Sequence, residues 1–194
     1  MITFEGVMPI DILIVDDNRA DIRLVQEILK KGKMIVNLHS VLDGMEAMEY
    51  LRKEGKYKDA NYPDLILLDL NMPRKDGREV LEEIKSDDRL QTIPVIVMTI
   101  SKAEEDILKS YKLHANAYIV KPIELNQFMN VVSSIEDFWL TIVKLPPNIN
   151  KVETILNNKI ETILINKVET ILNNKVETIP KNDAETIPNN NVDI

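Results

Sequence analysis

The chain has 194 residues, 44% hydrophobic and 29% charged, with a formal net charge of −8; that acidity excludes a general nucleic-acid binder, which needs a basic face. It has no cysteine, which excludes disulfides and thiolate metal sites and suits a cytoplasmic protein. No run of about 18 apolar residues is present, and residues 1–9 lack a basic cluster ahead of an apolar core, so neither a membrane span nor a secretory signal is expected.

Residues 1–8 read as an N-terminal extension. Ile10 to Val15, apolar apart from Asp11, reads as a first strand that ends in Asp16-Asp17-Asn18. Ala20 to Lys31 predicts a helix with Ile22, Val25, Ile28 and Leu29 inward and Gly32 as its stop. Met34 to Val41 is a less apolar strand, expected at an edge. Asp43 and Glu46 have the spacing of a capping box, before a helix that turns Ala47, Met48 and Leu51 inward. After the polar stretch from Gly55 to Tyr62 comes Leu65-Ile66-Leu67-Leu68-Asp69-Leu70-Asn71-Met72-Pro73. Four apolar residues in a row predict a short strand buried on both faces, ended by Asp69 and turned by Asn71, Met72 and Pro73. Gly77 opens a helix with Val80, Leu81 and Ile84 inward. Val95 to Met98 is a fourth strand, followed by Thr99. Ser101 and Glu104 have capping spacing before a helix from Lys102 to Leu113. Ala117 to Val120 is a fifth strand, ending at Lys121-Pro122, and Leu125, Phe128, Met129, Val132, Ile135 and Trp139 line a last helix.

Strands alternating with helices imply α/β architecture, a parallel sheet covered on both faces. Pro146-Pro147 marks the end of this domain, taken as residues 9–145. Residues 146–194 repeat an eight-residue unit, as in Val152-Glu153-Thr154-Ile155-Leu156 and Val168 to Leu172. Eight residues rotate the apolar spot by about 80° per unit on a helix, so no single face forms. The tail is expected to be disordered or weakly ordered, with stacking of the repeats or self-association as alternatives. It carries a net charge of −2, leaving −6 on the preceding residues.

In such a sheet the carboxyl ends of the strands share one edge, where these folds bind ligands. That edge collects Asp16, Asp17, Asp69, Thr99 and Lys121. Two carboxylates about 4 Å apart repel by roughly 4 kcal/mol at an effective dielectric near 20. A divalent cation would neutralise them, and an all-oxygen set without His or Cys favours Mg²⁺. With Lys121 as a point charge and Thr99 as a hydroxyl donor, the set reads as a site for a phosphoryl group beside a metal, with Asp69 placed as nucleophile. Taken singly, each residue has a plainer reading: Asp16-Asp17 as a helix cap, Asp69 as a turn residue, Thr99 as a strand end, Lys121 as solvated surface.

Together these residues resemble the receiver domain of two-component response regulators. The resemblance is carried by Asp16-Asp17, Leu68 to Pro73 with Asp76-Gly77, Met98-Thr99 and Lys121-Pro122. It implies a flavodoxin-like fold with sheet order 2-1-3-4-5, the order that receivers illustrate. The long loop before Pro63, the run Pro73 to Leu81, and Ile135 to Leu140 are similar to stand-alone receivers that partner phytochrome-type histidine kinases. The resemblance further implies that Asp69 accepts a phosphoryl group from a sensor histidine kinase. Asp17, Asp69 and the Asn71 backbone carbonyl would bind Mg²⁺, with Asp16 acting through water. Lys121 would contact acceptor and phosphoryl group, Thr99 would hydrogen-bond the latter, and Tyr118 would rotate inward as the switch; its plainer reading is a half-buried strand aromatic. Asn71 and Ser101 stand where relatives tune the phosphoryl lifetime. The Lys121–Pro122 bond would be cis. Ala20, Arg23 and Leu24 would form the kinase-docking face.

The tail lacks the basic recognition helix of a DNA-binding output. The expected output is therefore contact with a downstream protein, in a phosphoacceptor signalling protein rather than a conventional enzyme. Homodimerisation through the fourth helix, fifth strand and fifth helix is an option that the apolar Phe138-Trp139 pair motivates. Ile100, where relatives carry a small residue, would crowd the path of Tyr118. Two rival readings stand beside this one. An aspartyl-phosphate hydrolase would need a second carboxylate where Asn71 stands. A phosphate-independent interaction protein would act through the repeats.

Overall fold

In the computed structural model, which describes residues 8–148, 156–157 and 159–170, five parallel strands form one sheet in the order β2-β1-β3-β4-β5. The strands are β1 (Ile10–Val15), β2 (Val36–Val41), β3 (Leu65–Leu68), β4 (Val95–Thr99) and β5 (Ala117–Val120). The helices are α1 (Arg19–Lys30), α2 (Gly44–Arg52), α3 (Gly77–Ser86), α4 (Glu104–Lys112) and α5 (Leu125–Ile135). Every residue of β3 is buried, as its unbroken apolar run requires, and β2 lies at an edge with only Val41 buried. Register places Val15 beside Leu68 and Thr99 beside Val120, so the residues after β1, β3 and β5 emerge together with Thr99.

Two cores cover the two sheet faces. Leu13, Val15, Ile66, Leu68 and Val97 pack with α2 and α3 through Met48, Leu51, Val80, Leu81 and Ile84. Ile12, Ile14, Leu65, Leu67 and Met98 pack with α1 and α5 through Ile22, Val25, Leu29, Phe128, Val132 and Ile135. Ile28 is half-buried at the margin. Leu125 and Met129 are exposed, contrary to the expected stripe. The buried face of α5 runs through Phe128, Val132 and Ile135; Met129 is turned about 100° from Phe128, off that face.

Trp139 was expected to continue this face. Instead residues Glu136–Ile142 form a π-helical turn, closed by Val143 N–H donating to Phe138 O at 2.9 Å. One extra residue per turn rotates Leu140 into the core and leaves Trp139 half-buried.

Local caps follow the sequence in part. Asp76 and Glu79 form the capping box of α3, and Asp43 accepts from Glu46 N–H at 2.9 Å while the Glu46 carboxylate accepts from Leu42 N–H at 3.1 Å. Ser101 does not cap from Glu104: Ala103 stands at the N-cap of α4, and Ser101 Oγ binds Asp106. Gly32 lies two residues past α1 and makes room for Glu136, whose carboxylate accepts from Lys33 N–H at 2.5 Å.

The chain divides into units of residues 1–151 and 152–194. Asn148 is buried and its side-chain amide donates to Tyr62 O, so the expected boundary at Pro146 falls too early. Residues 156–157 and 159–170 are helical and exposed. Their Leu, Glu and Lys residues favour a helix, and their exposure accords with the eight-residue period, which gathers no apolar face. Residues 1–7 of the extension and the remaining repeats lie outside the described residues.

Candidate functional site

Asp16 and Asp69 sit just past adjacent strand ends, tied by Asp69 N–H donating to Val15 O at 2.9 Å. Both are buried, Asp69 to 6% exposure, whereas Asp17 is exposed. One carboxylate oxygen from each of the three lies within 4.8 Å of the others. Lys121, buried at the end of β5, donates to Asp16 Oδ2 at 2.6 Å, to Asp69 Oδ2 at 2.7 Å and to Asp21 Oδ2 at 3.1 Å. Thr99 is fully buried; its Oγ1 accepts from Asn71 Nδ2 at 3.1 Å. Asn71 N–H donates to Asp69 Oδ1 at 3.1 Å.

The structure thus brings together Asp16, Asp17, Asp69, Asn71, Thr99 and Lys121. It adds Asp21, which the sequence did not single out; its only signal was an acid in the first turn of α1. Asp16-Asp17 do not cap that helix. Asn18 does, and Asp16 Oδ1 accepts from Asn18 N–H at 2.9 Å. The Lys121–Pro122 bond is trans, the form an X–Pro bond favours by about 0.5–1 kcal/mol, and it still delivers the Lys121 ammonium to the acids.

Three carboxylates hold one ammonium and Asp17 lies beside Asp16 and Asp69, a formal charge of −3 in all. Burial pushes the Asp16 carboxyl above its usual range, against the opposing pull of Lys121. Burial also works against the Lys121 ammonium, but Asp16 and then Asp69 outweigh it and its pKa is raised. The crowding is therefore partly relieved by Lys121, more than repulsion among the acids alone suggested. An all-oxygen cluster with residual negative charge fits a hard divalent cation.

Gly77 allows the loop after β3 to fold under Asp69: a Cβ there would lie 2.0 Å from Asp69 O. Arg74, left-handed at φ 68°, pairs with buried Asp43 and fastens the same loop to α2. Tyr118 is half-buried, and its hydroxyl donates to Ser101 O at 3.2 Å. Ile100 is 69% exposed. On α1, Ala20 and Arg23 are exposed and Leu24 is half-buried.

The family described as response regulator receiver domain matches residues 12–133. The chain belongs to the response regulator receiver family. It is similar to response regulator Rcp1 of Synechocystis sp., with 49% identity over 135 residues, 70% of this chain and 92% of that protein. Among solved structures it resembles the phosphorylated cyanobacterial phytochrome response regulator RcpA, at 54% identity and a TM-score of 0.70, covering 72% of this chain and all of that one. It also resembles the Mn²⁺-bound form of Rcp1, at 48% identity and a TM-score of 0.70, with the same coverage. Receivers are two-component signalling proteins whose general role is to be phosphorylated by a histidine kinase, and they bind Mg²⁺ or Mn²⁺ in an acidic pocket. No helix among the described residues is long and apolar enough to cross a membrane.

Proposed function

We propose that this receiver takes a phosphoryl group from a sensor histidine kinase, phytochrome-type by its relatives, onto Asp69. The observation that carries this reading is that Lys121 holds Asp69 Oδ2 and Asp16 Oδ2 at once, at 2.7 and 2.6 Å, in a buried acidic corner. In the transfer the P–N bond of the kinase phosphohistidine breaks, its electron pair stays on the imidazole, and a P–O bond forms to an Asp69 oxygen. Asp17, Asp69 and the Asn71 carbonyl would hold Mg²⁺, with Asp16 acting through water; the ion supplies charge neutralisation at the phosphoryl oxygens. Lys121 moves its hydrogen bond from Asp69 to the arriving group, and Thr99, whose oxygen accepts from Asn71, donates its hydroxyl hydrogen to that group.

A switch from mostly off to mostly on needs about 5.5 kcal/mol of differential binding, more than one hydrogen bond supplies. Metal, Lys121 and Thr99 act together, and Tyr118 reports the result to α4, β5 and α5. The output is contact with a downstream protein, in the cytoplasm. Ala20, Arg23 and Leu24 form the kinase-docking face. Homodimerisation through the face of α4, β5 and α5 is a further option, supported by the exposed Phe138 beside half-buried Trp139. The site residues are Asp16, Asp17, Asp69, Asn71, Thr99 and Lys121, with Tyr118 as the switch.

Labelling with acetyl phosphate or kinase tests this. Wild type takes up acid-stable, base-labile label and Asp69→Asn takes up none; label persisting in Asp69→Asn overturns the assignment. Hydrolase chemistry is disfavoured because Asn71, two residues after Asp69, is an amide engaged with Thr99 and no proton shuttle. A phosphate-independent role for the repeats predicts that removing residues 149–194 abolishes partner binding.

A further inference from the structure

α4 is held to the domain by little apolar contact. Ser110 is its only fully buried side chain, Leu108 and Tyr111 are exposed, and no side chain caps it from Ala103. What fixes its first turn is polar. Arg78, the second residue of α3, reaches Asp106 in a two-pronged pair: Nε donates to Oδ1 at 2.9 Å and Nη2 lies 2.6 Å from Oδ2. Nη1 donates to Asp76 Oδ2 at 2.7 Å. The arginine side chain is 16% exposed and that of Asp106 is 20% exposed.

The same Asp106 Oδ2 accepts from Ser101 Oγ at 2.5 Å, and Ser101 Oγ in turn accepts from Ala103 N–H at 3.3 Å. Ser101 N–H points at Thr99 Oγ1, 3.4 Å away, and Ser101 O accepts the Tyr118 hydroxyl. The hydrogen bonds from Ser101 and then Arg78 keep the Asp106 carboxyl below its usual range and so ionised. One network therefore joins the start of α3, which follows the loop after Asp69, to the β4–α4 loop, α4 and β5. A planar, forked guanidinium fixes its partner in angle as well as distance, which an ammonium does not.

We propose that Arg78 is a positioning residue: by gripping Asp106 it holds the β4–α4 loop where the Ser101 carbonyl receives Tyr118, and so sets how α4 follows the state of Asp69. Its signalling meaning rests on the phosphoacceptor reading above; its structural effect does not. Breaking one charge-assisted pair of this type shifts a two-state ratio about tenfold.

The test uses the full chain with its five tyrosines replaced by 3-fluorotyrosine, the Tyr118 ¹⁹F resonance being assigned by Tyr118→Phe. Spectra are taken with and without Mg²⁺ and beryllofluoride. Arg78→Met and Asp106→Asn are expected to move the Tyr118 resonance in the same direction even without a phosphoryl mimic. Arg78→Lys restores it only in part, and acetyl-phosphate labelling proceeds at the wild-type rate. Ser101→Ala, which removes only a hydroxyl, gives a smaller shift of the same sign and serves if a charge variant fails to fold. A purely structural ion pair would lower the melting temperature and leave the Tyr118 resonance in place; that result in folded Arg78→Met, or in Ser101→Ala, overturns the proposal. Failure of wild type to take label would instead remove the phosphoacceptor reading and leave the Tyr118 shift standing.

Discussion

Lys121→Met isolates the electrostatics of the site. Lys121 Nζ lies 2.6 Å from Asp16 Oδ2 and 2.7 Å from Asp69 Oδ2. At an effective dielectric near 20 each such pair is about 6 kcal/mol in Coulomb energy before the ammonium's own dehydration is subtracted. The net cost of breaking a buried pair is about 3–5 kcal/mol, since the carboxylates stay behind unpaired. For a domain of this size that lowers the melting temperature by about 10 °C. The pH dependence has a definite sign. Burial already holds the Asp16 carboxyl above its usual range with Lys121 opposing it, so losing Lys121 raises it further. A carboxyl whose folded-state pKa exceeds its unfolded one costs stability above that value and ceases to as the pH falls through it. Urea unfolding in EDTA at neutral pH should show the full deficit, and near pH 4 the gap to wild type should narrow. Mg²⁺ should narrow it at neutral pH as well, because without the Lys121 charge the variant's carboxylates bind the ion more tightly than wild type and its folded state gains more from binding. A variant as stable as wild type in EDTA at neutral pH, or a gap that does not shrink on acidification, refutes this account.

Gly77→Ala places a Cβ 2.0 Å from Asp69 O and 2.7 Å from Leu70 Cα, backbone atoms that cannot step aside; stability should fall by at least the 1–3 kcal/mol or so of ordinary overpacking, and phosphoryl labelling should fall with it. Glu46, its carboxyl pulled down to about 2 by hydrogen bonds from Lys56 and Tyr57, contributes stability that is complete above its ordinary value of 4.5 and is lost as the pH falls toward 2. Glu46→Gln should therefore cost no more than about 1 kcal/mol at pH 7, because the pair with Lys56 is screened by solvent, and the difference from wild type should vanish in urea titrations near pH 2. Ending the chain after Asn148 should leave the thermal midpoint unchanged, whereas ending it after Lys144 removes the Asn148–Tyr62 hydrogen bond and the packing of Leu145 and should cost at least about 1 kcal/mol.

What was legible in the sequence were features written in consecutive residues. The run before Asp69 announces a strand buried on both faces, and the polar residue at its end must face the ligand edge. Asp16, Thr99 and Lys121 follow by the same logic from β1, β4 and β5. Topology then does the rest, because parallel strands with right-handed crossovers put all these ends on one edge. What stayed hidden depends on contacts between distant segments. Asp21 reaches Lys121 across 100 residues, and Arg78 meets Asp106 across 28; no spacing rule relates either pair. The π-helical turn that exchanges Trp139 for Leu140 needs one residue more than helical periodicity allows. Asn148 lies beyond two prolines that read as a boundary, yet its amide finds the one carbonyl at Tyr62.

The two oxygens of Asp69 are not equivalent, which bears on how Asp69, in the proposed acceptor role, is kept both protected and available. Oδ2 is held by Lys121 and Oδ1 by the Asn71 N–H. A carboxylate hydrogen-bonded on both oxygens is a weaker nucleophile than a free one, so in the proposed acceptor role one of these bonds has to be released for transfer. Lys121 does not depend on Asp69 alone, since Asp16 and Asp21 also hold it. Releasing Asp69 therefore costs the ammonium one of three partners rather than its only one. An incoming phosphoryl group brings negative charge that replaces that partner as it arrives. Under the proposed phosphoacceptor role, the ammonium that restrains Asp69 would pass to the phosphoryl group in the same movement, with Asp16 and Asp21 anchoring Lys121 throughout.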